Sequence, residues 1–253
     1  MSSRCGFTLV ELLVVIAVIA LLIGLMLPAL AGARKNAQRV QCAANVRSIV
    51  QATLSYETDH GRMPAHPYES GDVLTMPASV KGPTFDARPL YAPYMDVDFF
   101  ACPNVAAWSP SQSTSAIVNV DYVLTAGYYG DHDGSAWTNP FTQSGRVWRY
   151  AGNRFSVLAG DKAFLDPDTI PGTWRQIVNH PDAAPGFVEW SPPWFAGSAF
   201  LAEHPVGTDV RQQTFNNFGF TDGHVSGFRN ANMPAIPNRR IDRPNSTYLM
   251  PAE

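Results

Sequence analysis

Glu11 is the residue whose position most demands a chemical reason. It heads a run from Leu12 to Ala33 without a charged side chain, and Gly6-Phe7-Thr8-Leu9-Val10 leads into it. A run of that length crosses a bilayer as a helix, which needs about 20 apolar residues. An acid at the centre of such a helix costs roughly 2.5–3.5 kcal/mol on insertion scales, and less near an end. A plain membrane anchor gains nothing from that cost. The acid therefore predicts a cationic partner inside the membrane, and with it an assembly of several chains.

Other residues carry weaker chemical signals. Asp131-His132-Asp133-Gly134 offers oxygen ligands of the kind calcium takes. It lacks the spacing and the final Glu of an EF-hand loop, so a polar turn is the stronger reading. Asp131 and Asp133 stand as weak metal candidates, calcium is the one cofactor considered, and none is expected. Asp222 and His224 bring a carboxylate and an imidazole close together, which a turn explains without catalysis. The rings of Trp190-Ser191-Pro192-Pro193-Trp194-Phe195 could stack on a sugar face, although a loop packed over a sheet fits them better. No Gly-x-Ser-x-Gly elbow, phosphate-binding loop or Cys-x-x-Cys pair occurs. The six histidines are scattered, with no helical pair at metal spacing. No catalytic residue is assigned, and the chain reads as a structural protein and not an enzyme.

Of three cysteines, Cys5 lies before the apolar run, leaving Cys42 and Cys102. In an oxidising compartment these two are a disulfide candidate. Two separate buried thiols are the alternative, because sequence does not fix the distance between them.

The elements that position these residues begin with a helix. After Ala33 there is no Gly or Pro before Gly61, and Cys42, Val46, Ile49, Thr53 and Tyr56 recur at steps of three and four, flanked by Val50 and Leu54. That spacing is an amphipathic stripe that needs a surface to cover. His60-Gly61 ends the helix, and Pro28 should bend or locally loosen its first half. With 19 Gly and 21 Pro in 253 residues, the remainder should be rich in turns and strands. Residues 60–115 read as loop. Asp121–Thr125 and Arg154–Ala159 read as strands, the second closed by Gly160-Asp161. Phe218–Phe228 reads as a hairpin with Asp222-Gly223 as a two-residue type I′ turn. That turn would pair Thr221 with His224, Phe220 with Val225 and Phe218 with Gly227, placing Phe218, Phe220 and Val225 on the core face. From Met233 onward the chain should be extended and polar. The formal net charge is −3, and basic residues are few, with a cluster at the membrane flank (Arg34, Lys35 and Arg39), so no nucleic-acid partner is expected.

Arg4-Cys5-Gly6-Phe7-Thr8-Leu9-Val10-Glu11-Leu12-Leu13 resembles the processing signal of type IV prepilins and type II secretion pseudopilins. The resemblance runs from Met1 to about Tyr56. It implies cleavage by a prepilin peptidase after Gly6, N-methylation of Phe7, and pairing of Glu11 with the amine of a neighbouring subunit. Pro28 matches a helix-softening proline of that family. The implied partners are the peptidase, other pilin or pseudopilin subunits, the filament assembly machinery and inner-membrane lipid. The implied location is the bacterial inner membrane, single-pass, with the globular part outside the cytoplasm. A count of flanking Lys and Arg gives the opposite orientation, since only Arg4 precedes the span. Some pseudopilins bind calcium in a C-terminal loop. A second, partial resemblance lies in Asp222-Gly223-His224-Val225. Some large pseudopilin-like proteins carry His, nine residues, then Asp-Gly at this point, and here Gln212 occupies the histidine position.

The expected organisation is a leader (1–6), a transmembrane and filament-core helix (7–33), its amphipathic continuation (34–59) and a β-rich extracytoplasmic domain (60–253). The fold class is α+β, with a long N-terminal helix packed by its second half on an antiparallel sheet. The expected function is a structural subunit of a pilus-like filament or secretion pseudopilus. The rivals are a membrane-anchored binding module for carbohydrate or surface protein, and a tethered enzyme.

Overall fold

The computed structural model describes residues 9–64, 79–81, 86–104, 109–113, 118–125, 148–150, 153–166, 173–178, 180, 188–190, 199–205, 214–229, 233, 235–240 and 243–252. In chain order these form α1 (Leu9–His60), β1 (Ser79–Lys81), α2 (Arg88–Tyr91), a 3-10 turn (Val97–Phe100), β2 (Val118–Asn119), β3 (Tyr122–Leu124), β4 (Trp148–Tyr150), β5 (Asn153–Phe155), β6 (Val157–Asp161), β7 (Ala163–Asp166), β8 (Thr173–Val178), β9 (Val188–Trp190), β10 (Ala199–Pro205), β11 (Phe215–Phe220), β12 (Val225–Arg229), β13 (Ala235–Arg240) and β14 (Arg243–Leu249). The architecture is α+β, a long apolar N-terminal helix followed by antiparallel sheets. The chain divides into two compact units, Met1–Val40 and Gln41–Glu253.

Helix α1 runs 52 residues and continues through Pro28. Gly61 ends it with φ +68°, and its N–H donates to Glu57 O at 2.8 Å, a left-handed C-terminal closure that glycine adopts without a Cβ penalty. Along residues 42–56 the expected stripe is the buried one. Cys42, Val46, Ile49, Val50, Thr53 and Tyr56 are covered, and Asn45 and Ala52 join them. Asn45 and Thr53 are its polar members, and Asn45 reaches beyond the helix. Its amide donates to Ala101 O at 3.1 Å and to the Tyr122 hydroxyl at 3.2 Å, so the helix is keyed to its neighbours as well as packed on them.

The strands fall into a four-stranded sheet of order β12-β11-β6-β3, a six-stranded sheet of order β13-β14-β7-β8-β10-β9, and two strand pairs, β1-β2 and β4-β5. The four-stranded sheet carries the second half of α1. Tyr122 and Leu124 of β3, Leu158 and Ala159 of β6, and Val225 of β12 share a core with Cys42, Val46, Ile49 and Val50. Tyr91, Val97 and Phe100 add to the same core, and the Tyr91 and Phe100 rings meet edge to face at 5.1 Å.

The hairpin forms, with a register one residue away from the expected one. Phe218 faces Ser226 and Gly219 faces Val225. Gly223 N donates to Phe220 O at 2.9 Å, and Phe220 N donates to His224 O at 3.0 Å. The loop is thus three residues, Thr221-Asp222-Gly223, with Gly223 at φ +88°. A three-residue loop with glycine in the left-handed region replaces the type I′ turn. A shift of one residue exchanges the faces of one strand relative to the other. Val225 therefore sits beside Gly219 on the helix side, while Phe218 and Phe220 lie on the opposite side with His224 and Phe228. That side is covered too, because Phe218 is fully buried.

Three further expectations change. Arg154–Ala159 is not one strand: β5 and β6 flank Ser156 and belong to different sheets. The segment after Met233 forms the β13–β14 hairpin, irregular between Asn238 and Arg240. Within 60–115, expected as loop, β1, α2 and the 3-10 turn form, and Pro89 sits in the first turn of α2, where a proline is tolerated.

Candidate functional site

Glu11 lies in the first turn of α1, among exposed apolar side chains. Leu12, Ile16, Ile19 and Ile23 are each about half exposed, and Leu25 and Leu30 more so. This segment is long and apolar enough to cross a membrane, and none of its most apolar stretch is buried within the chain. A soluble core helix would be covered. Surface of this kind is stable against lipid or against other helices.

In the second unit the fold brings two expected residues together with one that the sequence did not suggest. Cys42 on α1, Cys102 after the 3-10 turn, and His180 after β8 place their ligating atoms within 4.8 Å of one another, all buried. Cys102 Sγ lies 3.7 Å from His180 Nε2, and Asp161 Oδ2 lies 3.5 Å from the same nitrogen. Both cysteines are thiols in the structure.

Backbone and amide contacts fix this cluster. Cys102 N donates to Asp121 Oδ2 at 2.8 Å. Asn217 donates to Asp161 Oδ2 from its backbone N at 2.7 Å and its Nδ2 at 2.8 Å. Burial pushes the Cys42 thiol up, but hydrogen bonds from Cys102 and the His180 ring outweigh it and bring it down to about 7. Burial, the bond to Cys42 and neighbouring negative charge push Cys102 well above the usual thiol range. The pair gives up one proton readily and resists losing the second.

The hairpin turn is an exposed arrangement. Asp222 Oδ1 accepts from His224 N at 3.1 Å and meets His224 Nδ1 at 2.5 Å, while the His224 ring stacks on Phe220 at 4.3 Å. The two bonds from His224 hold Asp222 below the usual carboxylate range. With both side chains more than half exposed, the geometry is that of a self-capped turn. Gly6, Phe7, Asp131, Asp133, Gln212 and the Trp194 loop lie outside the described residues.

The cluster's missing member has no sequence signal. His180 is distant in sequence from both cysteines, and no spacing rule links them. Only the sheet topology reveals it.

Residues 1–27 match the family described as the prokaryotic N-terminal methylation motif. The N-terminal segment of this chain is prepilin-like. It is 40% identical over 60 residues to the type IV wide pilus major component PilA4 of Thermus thermophilus, covering 24% of this chain and 46% of that protein. It is 33% identical over 63 residues to the competence protein ComGC of Halalkalibacterium halodurans, covering 25% of this chain and 62% of that protein. The chain thus spans about half the length of the curated relatives it matches. No solved structure matches it.

Proposed function

We propose that this chain is a structural subunit of a type IV pilus-like filament or a type II secretion pseudopilus. The observation that carries the reading is the methylation motif over residues 1–27, joined to an apolar helix left uncovered by the rest of the chain. In this reading a prepilin peptidase cuts between Gly6 and Phe7 and Phe7 is N-methylated. The subunit waits in the inner membrane with its β-rich unit outside, and the assembly machinery then draws it into a bundle of like helices. Glu11 there accepts the charge of a neighbour's terminal amine, so neither charge is desolvated alone.

Mass analysis of the N-terminus from native membranes tests the processing step. The expected chain begins at N-methyl-Phe7. A chain beginning at Met1, or near Gly32, overturns the reading. Gly6→Val leaves the precursor uncut, because a branched side chain crowds a cleavage site fitted to glycine.

A further inference from the structure

We propose that Cys42, Cys102 and His180 form a buried zinc site that, within the second unit, ties the C-terminal part of α1 to the sheet-bearing remainder. Two sulfurs and an imidazole nitrogen suit a thiophilic cation with no redox demand, and zinc is the common one. The spacing is right. Zinc–sulfur and zinc–nitrogen bonds of about 2.3 and 2.0–2.1 Å, at a tetrahedral angle, separate the two ligand atoms by about 3.6 Å. Cys102 Sγ and His180 Nε2 are 3.7 Å apart, and Cys42 Sγ completes a triad whose members all lie within 4.8 Å.

The surroundings support a closed structural site. Cys42 is 0% exposed, Cys102 2% and His180 2%, so bound metal would be shielded from exchange with bulk water. Asp161 Oδ2, 3.5 Å from His180 Nε2, adds negative charge beside the imidazole ligand. Its bonds from Asn217 hold it in the way outer-shell partners hold carboxylates around metals. Zinc binding displaces both thiol protons to solvent, so two thiols and Zn²⁺ yield a dithiolate complex and two protons. A disulfide would use the sulfurs but not the imidazole they face. Metal uses all three donors and withdraws the thiolates from exchange.

The three ligands come from α1, from the segment after the 3-10 turn and from the segment after β8. One ion therefore ties together parts of the unit that are remote in sequence, and its binding energy becomes folding energy.

The test uses the full chain in detergent, reduced, stripped of metal, and carrying Cys5→Ser so that only these two thiols remain. One zinc per chain is expected. Cobalt(II) in its place should give thiolate charge-transfer absorption in the near ultraviolet and the intense visible bands of a tetrahedral site. Cys102→Ser abolishes both signals, and His180→Gln weakens zinc binding at least tenfold. Zinc raises the melting temperature of the parent chain and leaves the Cys42→Ser/Cys102→Ser double variant unmoved. The decisive measurement is made on the parent, so the outcome does not depend on whether the double variant folds. Three results overturn the proposal: a folded, reduced parent that takes up no stoichiometric zinc, a cobalt spectrum that survives loss of both cysteines, or protein from native membranes with Cys42 and Cys102 joined in a disulfide.

Discussion

Gly219 of β11 lies against Val50 of α1. A Cβ at position 219 would stand 2.5 Å from Val50 Cγ2 and 3.0 Å from Val46 Cγ1. The helix rests on the four-stranded sheet at the one point of β11 where the strand carries no side chain on that face. Gly219→Ala is expected to destabilise the chain by about 1–3 kcal/mol through overpacking, read as a fall in melting temperature. Val50→Ala alone also destabilises, by opening a cavity. The two changes relieve each other, so the double variant should lose less than the sum of the singles. Strict additivity would show that the two residues do not share the space.

Gly223 differs in kind. A Cβ there meets nothing within 4 Å, but φ is +88°. Its substitution is penalised by backbone conformation alone, about 1–2 kcal/mol for an ordinary L-residue in the left-handed region. Gly223→Val should lower the melting temperature clearly and Gly223→Asn much less, since asparagine tolerates that region. Equal effects of the two would place the strain elsewhere.

These glycines mark what the sequence revealed and what it hid. The stripe from Cys42 to Tyr56 was legible because burial on one side of a helix writes a period into the chain. Asp222-Gly223 correctly announced a turn with glycine in the left-handed region. It could not announce loop length, because two- and three-residue loops both end in glycine, and that single residue reversed which side Val225 faces. The β13–β14 hairpin was obscured by Pro237, Asn238 and Pro244, whose propensities oppose strands and yield to pairing with neighbours. The Cys42–Cys102–His180 cluster depends wholly on tertiary packing. The methylation motif was legible outright because it is a contiguous run of residues that needs no tertiary contact to be recognised.

Asp98 supplies a pH prediction. Its Oδ1 accepts from Ser109 Oγ and Ser111 N, each at 2.9 Å, and its Oδ2 from Ser111 Oγ at 3.1 Å. Burial raises the carboxyl, yet these bonds outweigh it and leave it below the ordinary value of 3.8. A depressed folded-state pKa means stability present above the unfolded pKa and lost as pH falls through the folded one. Asp98→Asn should therefore cost on the order of 1 kcal/mol at neutral pH. The gap between variant and wild type should close as pH drops below about 4, the ordinary aspartate pKa. Urea melts at neutral and acid pH measure it, and a gap independent of pH would show that the charge contributes nothing.

The assembly role proposed for Glu11 is separable from folding. The acid sits in the first turn of α1 and belongs to the first unit, whereas the core residues of the second unit begin at Cys42. Exchanging its charge should leave that core untouched. Glu11→Gln keeps size and hydrogen-bonding capacity, lowers the cost of placing the side chain in lipid, and removes the charge a neighbouring amine would seek. Membrane insertion and melting temperature should match wild type, while incorporation into sheared fibres, in a host with a compatible assembly machine, should fall at least tenfold. Glu11→Asp should recover part of it, since the charge returns on a shorter arm. A Gln variant that incorporates normally would show that the carboxylate does not select the neighbour, and the filament reading would then rest on the methylation motif alone.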